Sequence, residues 1–110
     1  MTSKEKISRK EDKWKENLIK VCQLAVDKWG EELQIKVAIE ECAELIKELA
    51  KLGRMINGSS IENIAEEIAD VEIMLQQLKI IFGCDFDVEN FKLNKIERLN
   101  QRLNNDFKRR

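Results

Sequence analysis

No proline occurs anywhere in this chain, and its four glycines, Gly30, Gly53, Gly58 and Gly83, all fall where a helical pattern stops. Proline and glycine are the strongest interruptions of a helix, so this placement leaves long helical runs separated by three junctions. The pattern predicts an all-α fold, a four-helix bundle-like domain spanning residues 1–110, with 1–7 and 105–110 expected to be mobile. Within the runs the apolar residues step by three and four, the signature of one buried stripe per helix. The first run goes from a Ser8-x-x-Glu11 capping box to Trp29, with Trp14, Leu18, Val21, Cys22, Ala25 and Trp29 on its stripe. The second covers about Glu32 to Leu52 and lines up Ala38, Cys42, Leu45, Leu49 and Leu52. A second capping box, Ser59-x-x-Glu62, starts the third. Its stripe (Ile61, Ile64, Ile68, Val71, Leu75, Leu78, Phe82) is the clearest in the sequence. Asp85 or Asp87 is placed to cap the fourth, which runs to about Asn104.

Carboxylates punctuate the second and third runs in a bipartite pattern. Glu41 and Glu44 precede the glycine-bearing loop Gly53–Gly58, and Glu67 and Asp70 follow it. Each pair is spaced i, i+3, which puts both side chains on one helix face. In an antiparallel helical hairpin, residues meet across the pair when their numbers share a common total. Glu41 with Asp70 and Glu44 with Glu67 both total 111. Four carboxylates therefore converge at one level of a central hairpin. Glu67 even projects into the apolar arc of its helix, with Asp70 at the margin, whereas Glu66 and Glu72 point outward. Met74, one turn beyond Asp70, faces the core. Such a cluster is expensive unless cations neutralise it, and an all-oxygen site suits a hard divalent ion, Mg²⁺ or Mn²⁺.

Charge and composition narrow the rest. The 20 basic and 21 acidic residues leave a net charge of −1, so bulk attraction to nucleic acid or to a membrane surface is not expected. No secretory signal or membrane-length apolar run is present. The three cysteines form no CxxC pair, which suits small core residues in a reducing cytoplasm. Histidine is absent, which removes Ser–His, Cys–His and His-ligated metal chemistry. Catalysis would have to run on carboxylates, lysines, arginines and metal. The fourth run turns cationic along its inner edge through Lys95, Arg98 and Arg102, beside Ile96, Leu99 and Leu103. Such an edge suits an anion held opposite the acidic hairpin. Taken alone, a glutamate-rich helix is more often solvated than functional, and a basic stripe is often a solubilising face. Convergence, the intrusion of Glu67 and the cationic edge together favour a site.

These residues also resemble a known family. Trp29-Gly30, Gln34, Ala38, Glu40-Glu41-x-x-Glu44-Leu45 and Glu66-Glu67-Ile68-x-Asp70 resemble the MazG family of the all-α nucleoside triphosphate pyrophosphohydrolase superfamily. The family's signature is EExxE, a spacer, then ExxD. The stretch Asn94-Lys95-Ile96-Glu97-Arg98 is similar to the basic element on the family's last core helix. The resemblance covers about Trp29 to Arg102. It implies that Glu41, Glu44, Glu67 and Asp70 bind Mg²⁺ and that a metal-activated water attacks the α-phosphorus of a nucleoside triphosphate. Products would be a nucleoside monophosphate and pyrophosphate, a nucleotide-pool house-cleaning reaction. It further implies Glu41 as first choice for taking the water's proton, and Lys95 with Arg98 or Arg102 on the β- and γ-phosphates. Gln34 and Trp29 are candidates for contacting the base, since tyrosine is absent and aromatic residues are few. A homodimer or homotetramer is expected, both from the family and from the apolar sides that four modest helices leave uncovered. The competing classes are a non-catalytic helical oligomerisation or adaptor module, and a nucleotide or metal sensor without turnover.

Overall fold

The computed structural model describes residues 2–53 and 60–109. They form helices α1 (Ser3–Trp29), α2 (Glu31–Gly53), α3 (Ile61–Phe82) and α4 (Asp85–Arg109), with no strand among the described residues. The fold is all-α and bundle-like, as the glycine spacing predicts. Among the described residues, no helix is long and apolar enough to cross a membrane.

The helix ends follow from local chemistry, and several differ from the sequence expectation. α1 begins at Ser3 rather than Ser8, because Thr2 and Glu5 form a complete capping box upstream. The Thr2 hydroxyl accepts the Glu5 N–H, and the Glu5 carboxylate accepts the Thr2 N–H, both at 3.1 Å. That cap starts the helix early and leaves Ser8 in its interior. A single residue, Gly30, forms the corner between α1 and α2. Its N–H donates to the Val26 carbonyl at 2.9 Å while its own carbonyl accepts from Gln34 N–H at 3.1 Å. The positive φ of 88° at Gly30 explains why glycine occupies the corner. α3 is capped by Ser60, whose hydroxyl accepts the Asn63 N–H at 3.1 Å. Ser59, its expected cap, and the loop through Met55 and Gly58 lie outside the described residues.

Gly83 ends α3 in the left-handed region (φ 58°, ψ 36°). The Gly83 N–H reaches the Ile80 carbonyl and the Cys84 N–H the Lys79 carbonyl, satisfying two of the helix's last acceptors. α4 opens with the Cys84 carbonyl accepting from Val88 N–H at 2.9 Å. Asp85 and Asp87 therefore lie inside its first turn, where they favour the helix dipole, instead of capping it. α4 also runs past Asn104 to Arg109, since neither proline nor glycine is there to stop it.

α2 and α3 pack against each other as an antiparallel pair. α1 lies along α3 and touches α2, and α4 packs on α3 alone among the described residues. The core is small: Cys22 and Val26 of α1, Ala38 of α2 and Met74 of α3, with Gln34 and Gln77 buried among them. The Cys22 thiol approaches the Ile73 carbonyl at 3.8 Å, joining α1 to α3, and burial pushes its pKa up. Several residues of the expected stripes are instead exposed, including Trp14, Trp29, Leu49, Ile68 and Phe82. The physical reason is coverage, because each stripe is wider than the one neighbour it faces. α4 shows this best: Phe91, Ile96, Leu99 and Leu103 are all exposed. The Cα radius of gyration is 18.2 Å, against about 13 Å for a compact domain of this size.

The turn at Gly83 offers a test of the junction. A methyl group there would meet nothing within 4 Å, so only backbone strain opposes it. Gly83→Ala should destabilise the fold by about 1 kcal/mol, read as a lower urea midpoint at unchanged slope.

Candidate metal centre

Two turns along the hairpin from its buried amides, α2 and α3 bring three carboxylates together. One oxygen each from Glu41, Glu67 and Asp70 lies within 4.8 Å of the other two. All three side chains are half-buried. Their meeting follows from register. Gln34 Nε2 donates to Gln77 Oε1 at 2.6 Å in the core, and those numbers also total 111. One antiparallel register therefore aligns the amide pair and the Glu41–Asp70 pair.

The electrostatics are those of an uncompensated anion cluster. Lost hydration raises the Glu41 pKa most, followed by the charges of Asp70 and Glu44, a carboxyl–carboxyl hydrogen bond with Asp70, and Glu40. Glu67 is raised by lost hydration first, then by Asp70, Glu41, Glu44 and Glu66. Its Oε2 is shut off from solvent and has no hydrogen-bond partner. A buried carboxylate oxygen of this kind is costly unless something positive meets it. The donor set is three hard oxygens in mutual reach, which fits a hard divalent cation and not a soft one.

Glu44, the fourth expected ligand, is exposed and stands outside the group of mutually close oxygens. Its charge nevertheless raises both Glu41 and Glu67, so it borders the cluster. Glu48 bonds Lys51 at 3.0 Å, leaving that glutamate locally neutralised. Lys95, Arg98 and Arg102 are not brought to the carboxylates within one chain. All three are exposed on α4, which does not pack on α2 among the described residues. Among the described residues α4 meets α3 and not α2, and the Lys79–Asp85 pair at 3.7 Å is one of its ties to α3, so this chain alone does not set the cationic edge opposite the hairpin. Gln34 is buried beside the site, and its bond partner Gln77 went unrecognised in the sequence. The shared total of 111 was the signal that would have found it.

No protein-family model, curated protein or solved structure matches the chain in comparison.

The raised Glu67 pKa has a consequence for stability. A group with a raised folded pKa adds stability that is complete below its unfolded pKa and is lost as pH rises through the folded one. Glu67→Gln removes that titration. In EDTA the variant should match the wild type well below the ordinary carboxyl value of 4.5 and melt progressively higher than it as pH rises to neutrality. Melting curves across that range check this. A gap that stays constant with pH would show that the carboxylate carries no strain.

Proposed function

We propose that this chain is a divalent-cation-dependent nucleoside triphosphate pyrophosphohydrolase of the MazG-like type, converting a (d)NTP and water to a (d)NMP and pyrophosphate. The observation that carries this is the Glu67 Oε2 atom, buried without a partner amid two other carboxylates. A purely structural glutamate at that place would have been replaced by an apolar residue or satisfied by a hydrogen bond.

Glu41, Glu67 and Asp70, with Glu44 at the border, would hold Mg²⁺ or Mn²⁺. When bound, the ion supplies charge neutralisation of phosphate oxygens and acidification of a water. Glu41 is placed to accept that water's proton, since it stands among the carboxylates that would hold the ion. Attack at the α-phosphorus then breaks the bond to the bridging oxygen, which leaves with pyrophosphate. Half-burial of the carboxylates limits competing water and strengthens their hold on charge. The free thiols Cys22, Cys42 and Cys84 suit a reducing cytoplasm.

The protein acts as a homodimer or homotetramer. Ile35, Ile39, Ile46, Leu78 and Phe82 line an apolar groove between α2 and α3. With the uncovered stripe of α4, it gives each copy a large apolar surface to bury. Assembly is also the route by which Lys95 and Arg98 or Arg102 of a second copy reach the β- and γ-phosphates. The breadth of this surface would equally serve an adaptor module without turnover, but that function leaves Glu67 without a purpose.

A pyrophosphate-release assay over canonical and modified (d)NTPs, with Mg²⁺ and with EDTA, tests the activity. Turnover should require the ion. Glu67→Gln should lower it by orders of magnitude and abolish the rise in melting temperature that Mg²⁺ gives the wild type, while Glu72→Gln, an exposed control, changes neither. A wild type inert toward every substrate would overturn the proposal. Light scattering should report a multiple of the chain mass, and Ile46→Lys in the apolar groove should drive it toward a single chain.

A further inference from the structure

Two ion pairs of this chain share the i, i+3 spacing on one helix, and they differ in burial. Lys92–Glu89 of α4, at 3.2 Å, joins side chains that are 63% and 56% exposed, an ordinary solvated pair. Lys51–Glu48 of α2 is closer, at 3.0 Å, and its side chains are only 33% and 12% exposed. Glu48 has lost most of its water, and desolvating a charge costs more than a contact of this kind contributes. Helix stability alone does not explain why the pair sits there.

The pair lies on the face of the carboxylates. Glu48 follows Glu41 by seven residues, and Lys51 follows Glu44 by seven. Seven residues make two turns, so each stands about 20° from the line of its counterpart and about 10 Å farther along the helix. Helical side chains lean toward the N-terminus, and the bond to Glu48 carries the Lys51 ammonium back over the preceding turn. That bond also draws the ammonium from the line of Glu44 toward the line of Glu41. Glu48 Oε1 takes one of the three N–H donors of Lys51. The others can meet phosphate oxygens, which a lysine binds as a point charge.

A divalent ion offsets only part of the charge of a triphosphate, so the phosphates beyond the reacting one still require a cation. Lys47 is nearer in sequence to Glu41, but it is exposed and about 120° away around the helix. Lys95, Arg98 and Arg102 stand on α4, which meets α3 and not α2 among the described residues. Lys51 is the lysine of α2 that is both half-buried and in line with the cluster.

We propose that Lys51 holds the terminal phosphates of the substrate from the same chain that supplies the carboxylates, with Glu48 as the positioning residue that aims its ammonium. The proposal rests on the nucleotide-hydrolase function above. It adds a phosphate contact that does not wait for a second copy.

Two probes separate the phosphate tail from the rest of the nucleotide. One is an α,β-imido nucleoside triphosphate, which resists cleavage at the reacting bond, and the other is the matching nucleoside monophosphate. Each is titrated calorimetrically with Mg²⁺ present, for every base. The wild type should bind the triphosphate more tightly than the monophosphate. Lys51→Met should weaken the triphosphate about tenfold and leave the monophosphate unchanged, and Lys51→Arg should recover most of the loss. Glu48→Gln should weaken the triphosphate by a smaller factor, and in Glu48→Gln/Lys51→Met it should add nothing, because it acts through Lys51. That double variant leaves no unpaired charge, so it carries the test even where Lys51→Met alone melts lower. Lys47→Met makes the same change in net charge and should alter neither affinity. Equal weakening of both probes by Lys51→Met would overturn the role of Lys51 and spare the hydrolase. Triphosphate affinity unchanged in the folded double variant, or Lys47→Met as weak as Lys51→Met, would do the same. A wild type that binds neither probe would remove the hydrolase and the role of Lys51 together.

Discussion

The candidate site of this chain depends on one antiparallel helix pairing. α2 and α3 meet in a register where paired residue numbers total 111, and two kinds of polar group are stacked along that line. At one level are amides, Gln34 and Gln77, joined at 2.6 Å. Two turns away are carboxylates, held within 4.8 Å of each other with one oxygen buried and bare. Apolar packing around Ala38 and Met74 holds the pair closed between these levels. The packing has to overcome the lost hydration of the anions and, after it, their mutual repulsion, which together raise the proton affinities of Glu41 and Glu67. A carboxylate cluster so held is preorganised: its repulsion is opposed by folding and relieved when positive charge arrives.

Much of this was legible in the sequence, because a helix converts spacing into direction with little ambiguity. The i, i+3 spacing of Glu41 and Glu44, and of Glu67 and Asp70, placed each pair on a face, and the glycines located the junctions. The intrusion of Glu67 into the apolar arc of α3 could be read from its number alone, and its buried Oε2 has that origin. Glu44 fell outside the tight group because a face fixes only the direction of a Cβ. Beyond the Cβ a glutamate has further torsions, and the Glu44 side chain is exposed. Helix starts were less legible where two capping patterns compete, as at Thr2 and Ser8. Either side chain could cap, and the upstream one gains extra helical bonds.

Tertiary placement of α4 was the least legible element. Its amphipathic pattern says that it must bury a stripe, but not against which surface. Among the described residues it packs on α3 alone, and Ile96, Leu99 and Leu103 are exposed. A lone helix with an uncovered apolar edge gains little from tertiary packing. The apolar pattern of α4 is therefore wider than the surface that covers it among the described residues. Its cations lie beside the apolar edge, so whatever covers that edge also decides which anion the cations meet.

The amide pair also separates two design variables. Because Gln34 and Gln77 join near the start of α2 and the end of α3, the register of the hairpin is pinned at its open end, far from the connection through residues 54–59. A slip by one turn would break the only buried amide bond described between the two helices, and in one direction would set Gln34 against Ile81 and Gln77 against Ala38. The connection is thus relieved of any duty to set alignment. Its length can drift, since doubling a loop costs only about 0.6 kcal/mol in closure entropy. An insertion there should therefore leave the carboxylates in line.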